Sequence, residues 1–208
     1  MKLILASSSP RRRELIETLG VDYDFISPHF IERKPLGFES PMEYVIRMSL
    51  LKSLSVTSIV DNDVLIIGSD TVVVHESNIL LKPVDSDDAS RMLESLRNKS
   101  HEVYTGICLL SLGSKKVITD FETTIVNMRD FSSEEISKYI ESGEYVDKAG
   151  SYAIQSDEFH PVNNISGCYP SVVGLPVCKI ARYLDKFNIK IQIEQLNEFK
   201  KCTNCELI

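Results

Sequence analysis

The chain has 208 residues, 43% of them apolar and 25% charged, with a net charge of −7. That length supports one large domain or two small lobes around a core needing no covalent staples, and the composition excludes disordered, collagenous and coiled-coil classes. No apolar run reaches bilayer length, and an excess of 30 acidic over 23 basic residues disfavours a binder of polymeric nucleic acid. A small anionic ligand remains compatible, since one local basic cluster is enough to hold it.

Residues 2–6 (KLILA) read as a short buried strand, too short and too weakly apolar for a secretory signal. Ser9 is a natural N-cap and Pro10 a natural first helical residue, so a helix is expected through RRRELIETL to the stop at Gly20. A strand over Asp22–Ser27 and a polar loop over 28–39 follow. Ser40-Pro41-Met42-Glu43 has capping-box spacing and predicts a helix to about Leu54. Asp63–Gly68 and Val72–His75 read as two strands, followed by a turn at 76–78 and a short strand over Ile79–Leu81. Ser86–Arg97 reads as a helix. The runs 101–112 and 115–130, split by Gly113-Ser114, predict a hairpin with Val117, Phe121 and Ile125 on one face. Ser132–Glu135 opens a capped helix that stops at Gly143; 151–155 and 171–173 read as strands, and 176–187 as a helix. Strands alternate with helices while hairpins interrupt the order. The expected class is therefore α/β with a mixed, twisted sheet flanked by helices.

Three segments could carry chemistry. In Ala6-Ser7-Ser8-Ser9-Pro10-Arg11-Arg12-Arg13 a strand feeds a hydroxyl-rich turn that opens a helix, where free N–H groups and the dipole favour an anion. Arginines in a first turn oppose that dipole by roughly 0.3–1 kcal/mol, which an anion would offset; a solvated basic face accounts for them equally well. Asp70, in Gly68-Ser69-Asp70-Thr71, stands at a strand end beside a small glycine, where a carboxylate can hold a metal or take a proton from water. The plain alternative is a turn aspartate. Asp147-Lys148-Ala149-Gly150 is a charged turn before an alternating run ending in Gln155, an amide fit to read a base edge or simply to face solvent. Lys82 reads as a phosphate ligand or as an edge-strand charge, and Glu32 and Lys52 are unspecific by themselves. The five cysteines, odd in number, point to a reducing cytoplasm, and Cys202-Thr203-Asn204-Cys205 lacks the second pair that structural zinc needs, so a frayed tail is expected.

Taken in order, LILASSSPRR, IIGSDTVV, LLKP, SHEVYTG, YIESGEYVDKAGSYAIQ and VVGLPV resemble the signature segments of the Maf family of nucleoside triphosphate pyrophosphatases, over about residues 2–186. The resemblance implies a cytoplasmic, homodimeric α/β enzyme of two lobes with a central cleft, similar to inosine triphosphate pyrophosphatases. Residues 1–187 would form the catalytic domain and 188–208 an extension. It implies cleavage of dTTP and UTP between the α and β phosphates with a divalent cation, Mg²⁺ first and Mn²⁺ or Co²⁺ as alternatives. Residue by residue it assigns Ser7 and Arg12 to the nucleotide-contacting loop, Asp70 to the catalytic acid/base position, and Lys52 and Lys82 to the triphosphate; Arg11 adds a further local cation for that substrate. Glu32, with Asp70, would face the metal. Arg12, Thr71 and Gln155 resemble the dTTP/UTP subgroup rather than the one acting on methylated GTP. Two departures stand out: Ile31-Glu32 replaces the Asp-Glu often found there, and Ser156–Phe159 replaces a glycine-rich stretch. Another pyrophosphatase specificity and a non-catalytic nucleotide-binding regulator of cell division are the competing readings. A membrane or nucleic-acid partner is not expected.

Overall fold

The computed structural model describes residues 1–30 and 32–191. Its frame is a seven-stranded mixed sheet: β1 (Lys2–Ala6), β2 (Tyr23–Ile26), β3 (Val64–His75), β4 (Asn78–Leu80), β5 (Ser100–Ser111), β6 (Lys116–Met128) and β7 (Val162–Ser166). The order is β2-β1-β3-β5-β6-β7, with β4 also on β3. β1 runs parallel to both β2 and β3; every other pairing is antiparallel. The expected mixed sheet is therefore present.

β3 is apolar in nearly every position because both its faces are covered. Ile66, Val72 and Val74 point to the side of helix α2 (Pro41–Leu54), where Val72 and Val74 pack with Tyr44, Val45 and Met48, and Ile66 with Val56 and Leu50. Leu65, Ile67 and Val73 point the other way. There they meet α1 (Pro10–Glu17), α3 (Ser86–Leu96), α4 (Ser133–Ser142), α5 (Tyr169–Val173) and α6 (Val177–Asp185). The capping box read for α2 is formed, with Glu43 N–H donating to Ser40 Oγ and Ser40 N–H to the Glu43 carboxylate. The same device opens α4, and Gly143 ends it in the left-handed conformation at φ 74°.

Helix α2 lies unusually close to the sheet. A Cβ placed on Gly68 would sit 2.3 Å from the Ser49 carbonyl oxygen, and one on Gly106 would sit 2.3 Å from that of Val45. Both glycines are on the α2 face of adjacent strands, Gly68 on β3 and Gly106 on β5 opposite Asp70. On the helix side the facing residues, Ser49 and Ser53, are small, and their hydroxyls bond back to the carbonyls of Ile46 and Ser49.

Four expectations change. The two strands expected over 63–68 and 72–75 are one, because β5 pairs with β3 continuously from Leu65 to Val74. Asp70 is thus inside a central strand rather than at a strand end. The run 151–155 is not a strand: a 3₁₀ turn occupies Ala149–Ser151, with Gly150 and Ser151 at positive φ, and Gln155 lies in a following turn. Residues 171–173 belong to α5, which Pro170 helps to start. β7 was not anticipated; its sequence VNNIS has two exposed asparagines and little apolar signal. On β6, Val117 and Ile125 are exposed, and the opposite face (Thr124, Val126, Met128) is the buried one. The CxxC at 202–205 lies outside the described residues.

Behind the sheet, buried His101 shares a 2.7 Å hydrogen bond with the Tyr152 hydroxyl, while its Nδ1 is buried with no partner. Burial, reinforced by neighbouring His75, pulls the His101 pKa from 6.5 down to about 3. Between those values the unfolded chain takes up a proton that the folded chain refuses, so stability is complete above pH 6.5 and falls as the pH drops through that window. The loss should approach about 1.4 kcal/mol per pH unit for this one group. His101→Gln, compared with the parent by urea unfolding at pH 7.5, 6 and 5, should flatten the profile; identical slopes would remove His101 as its source. Gly106→Ala should lower the unfolding free energy by about 1–3 kcal/mol, the scale of overpacking, read at neutral pH; an unchanged midpoint would show that α2 can retreat freely.

Candidate active site

β1 stops at Ala6, opposite Gly68, whereas β4 begins to pair only at Val73. Ser69–Val72 therefore have no strand on that edge, and a cleft opens at the carboxyl end of β1, where ligands commonly bind in open α/β sheets. Successive residues of a strand face opposite sides. Asp70 and Thr71 thus bring the two faces of the sheet to one opening. The cavity measures about 800 Å³.

On the α2 side, Lys52 in the helix's last turn reaches Asp70, with Nζ 2.5 Å from Oδ1. The same Nζ lies 3.0 Å from Glu32 Oε1. Lys52 and Asp70 are both buried, at 7% exposure each, while Glu32 stands on the rim. Lys82 lies 3.8 Å from Glu32 Oε2 and 3.8 Å from Asp147. Burial alone would raise the Glu32 carboxyl, but Lys52, Lys82 and Arg12 outweigh it and hold it below its ordinary range. Tyr44 donates its hydroxyl to the Arg33 carbonyl, at 3.0 Å, and tethers the loop that carries Glu32.

On the other side, Arg12 is fixed by Nε donating to the Gly174 carbonyl, at 2.8 Å, and Nη2 to Thr71 Oγ1, at 3.2 Å. Thr105 Oγ1 donates to the Ser171 carbonyl, at 2.7 Å, so its contact with Thr71 Oγ1 at 3.0 Å must use the Thr71 proton. Thr71 therefore accepts from Arg12 and has no proton left for a ligand; it positions the guanidinium. Burial lowers the pKa of Arg12, with Asp70 opposing, and burial likewise lowers that of Arg11. Ser9 occupies the N-cap of α1, but its side chain does not cap; its N–H instead donates to Ser7 Oγ, at 3.1 Å. Pro10 has no N–H, and the first helical bond of the turn is Arg13 N–H to Ser9 O. The amides of Arg11 and Arg12 thus remain at a helix start that lines the cleft.

Ser7, Arg11, Arg12, Glu32, Lys52, Asp70, Thr71 and Lys82 all line this one cavity; Gln155 does not, being exposed on its turn. Arg33, Lys34 and Lys148 also line it, beyond those anticipated. Only Lys148 had a sequence signal, its place in the charged turn 147–150. Seven cationic side chains against three carboxylates make the cleft basic within an acidic chain. The Ser156–Phe159 departure faces elsewhere: Phe159 packs between Phe131 and Tyr139, with ring centroids at 4.9 and 4.4 Å. Among the described residues no three His, Cys, Asp or Glu side chains cluster closely enough to hold a metal by themselves. Two carboxylates do converge, Glu32 and Asp70, and that donor set suits a hard cation completed by phosphate oxygens and water. No described helix is long and apolar enough to cross a membrane.

A dTTP/UTP pyrophosphatase of Bacillus cereus (strain G9842) is 40% identical over 190 residues, covering 91% of this chain and 97% of the relative. A dTTP/UTP pyrophosphatase of Thermoanaerobacter sp. (strain X514) is 41% identical over 192 residues, covering 92% of this chain and all of the relative. Among solved structures, a HAM1 protein from Coxiella burnetii aligns with 62% of this chain and 73% of its own at 14% identity and a TM-score of 0.42. The model of the Maf-like protein family matches residues 2–187, and the chain belongs to that family.

Proposed function

We propose that the chain is a nucleoside triphosphate pyrophosphatase that hydrolyses dTTP and UTP to the monophosphate and pyrophosphate. The observation that carries this reading is the buried Lys52–Asp70 pair at the mouth of a basic cleft. A triphosphate needs several cations within reach, and Arg11, Arg12, Lys52, Lys82 and Lys148 supply them around one opening. Fixed charges of this kind stabilise phosphoryl transfer mainly by position. The relatives named dTTP/UTP pyrophosphatase, aligned over nine-tenths of the chain, direct the choice of nucleotide.

Asp70 acts as the base. Its Oδ1 accepts from Lys52, and its Oδ2 makes no hydrogen bond among the described residues, which leaves that oxygen to take a proton from the attacking water. Before substrate arrives, Lys52 holds the carboxylate in place. Arg12, with Nε and Nη2 occupied by Gly174 and Thr71, presents Nη1 to the substrate. Ser7 is buried and shapes the turn through its bond to the Ser9 amide. Glu32 and Asp70 would hold a divalent cation, Mg²⁺ by preference, which would neutralise phosphate charge when bound. A cytoplasmic homodimer is the setting this reading assumes.

Purified protein should release pyrophosphate from dTTP and UTP only with a divalent cation present; release of orthophosphate with a nucleoside diphosphate would overturn the α–β cleavage. Asp70→Asn should cut turnover by roughly 10²-fold or more while nucleotide still binds; near-normal turnover would take Asp70 out of the chemistry. Gln155 is exposed and lies outside the cleft lining. Gln155→Glu should therefore shift kcat/KM for UTP and GTP by less than about threefold each, well under the 10–200-fold of a lost specificity contact. A selective loss on UTP would show that the 151–155 segment folds into the cleft with substrate.

A further inference from the structure

Lys52 occupies the place where a metal ion would make its contacts. Its ammonium is 2.5 Å from Asp70 Oδ1 and 3.0 Å from Glu32 Oε1, so one buried cation already sits on both carboxylates. The Lys52 side chain starts from a fixed backbone. The end of α2 that carries Lys52 is pressed on the sheet, with Ser49 and Ser53 against Gly68. Lys82, 3.8 Å from Glu32 Oε2, adds a second positive charge on the outer side. A dication entering alone meets like charge at the very oxygens it must bind, and in a partly buried site that repulsion is weakly screened.

We propose that Lys52 is an internal counter-cation that keeps the Glu32–Asp70 pair closed to free metal, and that the triphosphate opens it by drawing the ammonium onto a phosphate oxygen. Metal and nucleotide then load together. This rests on reading Glu32 and Asp70 as the metal-facing carboxylates. Linkage makes the coupling reciprocal: whatever factor the nucleotide adds to metal affinity, the metal adds to nucleotide affinity. Lys52 thereby prevents the cleft from filling with metal before substrate arrives, and the ammonium freed from Asp70 becomes a phosphate ligand in the same movement.

The test is Mn²⁺ binding to the intact 208-residue chain, read as free Mn²⁺ by electron paramagnetic resonance, with no turnover involved. Without nucleotide, Lys52→Met should bind Mn²⁺ at least about tenfold more tightly than the parent, the scale of relieving a close like-charge contact. Lys52→Met/Asp70→Asn should return to weak binding, which locates the gain at this carboxylate. The non-hydrolysable α,β-methylene-UTP should raise Mn²⁺ affinity strongly in the parent and less in Lys52→Met, after correction for the analogue's own Mn²⁺ complex. Equal Mn²⁺ affinity of parent and Lys52→Met, or no gain in the parent with the analogue, would overturn the proposal. Should Lys52→Met fail to fold by circular dichroism, Lys52→Gln, which keeps a long polar stem without the charge, takes its place in every arm. Failure to release pyrophosphate from dTTP or UTP would count against the function proposed above and leave these binding results standing.

Discussion

The approach of helix α2 to the sheet is the constraint on which the site depends. Without side chains at Gly68 and Gly106, the helix backbone meets the strand backbones directly, and the last turn of α2 is lowered onto β3. A lysine stem of ordinary length then delivers its ammonium to Asp70 while staying buried. A buried ammonium is costly unless paired. The carboxylate in the middle of β3 meets that need, and the ammonium in turn makes a charged residue tolerable inside a central strand. Removing either partner would leave the other charge uncompensated, so backbone packing and active-site electrostatics stand or fall together here.

A second constraint is the unequal length of neighbouring strands. β3 runs for 12 residues and is paired along one edge by β5 without a break from Leu65 to Val74. On its other edge β1 and β4 cover only the two ends, and the gap between them is the cleft. A glycine-rich phosphate loop is unnecessary in this arrangement: the gap opens both faces of the strand, with Asp70 on one and Thr71 on the other, and the start of α1 and the turn at 147–150 line the same cavity. The turn can approach because Gly150, at φ 68°, lies against Val73, where a Cβ would sit 2.8 Å from a methyl carbon.

What could be read in the sequence follows from how local each signal is. The capping boxes at Ser40 and Ser132 are complete within four residues and both were legible. The hairpin at Gly113-Ser114 was legible for the same reason. Gly68-Ser69-Asp70-Thr71 looks like a turn because glycine, serine and aspartate favour turns; the continuous ladder from β5, set by residues far along the chain, overrides that preference. The alternation in Ser151–Gln155 mimics a strand, but β7 occupies the outer edge of β6, and Ser151 at φ 63° turns the chain away from extended geometry. The site was legible as residue types within motifs and not as contacts. Lys52 and Asp70 are 18 residues apart, and Arg12 and Gly174 are 162 apart, so no spacing rule links them.

The hydrogen-bond network also divides labour among residues that share one motif. Asp70 and Thr71 are adjacent, yet the strand sends them to opposite faces with different tasks. Asp70 keeps one oxygen without a hydrogen bond among the described residues, whereas Thr71 spends its proton on Thr105 and its lone pair on Arg12. Selectivity for a base therefore cannot come from the Thr71 hydroxyl as a donor. Under the proposed function it would fall to the remaining N–H donors of Arg12, held at a set angle by Thr71 and the Gly174 carbonyl, and to the shape of the apolar wall formed by Val73, Val103, Tyr152 and Ile154. Gly174, at φ 130°, is part of the same device: a side chain there would press on Arg12 Nε at 3.3 Å and move the one guanidinium that the network is built to hold still.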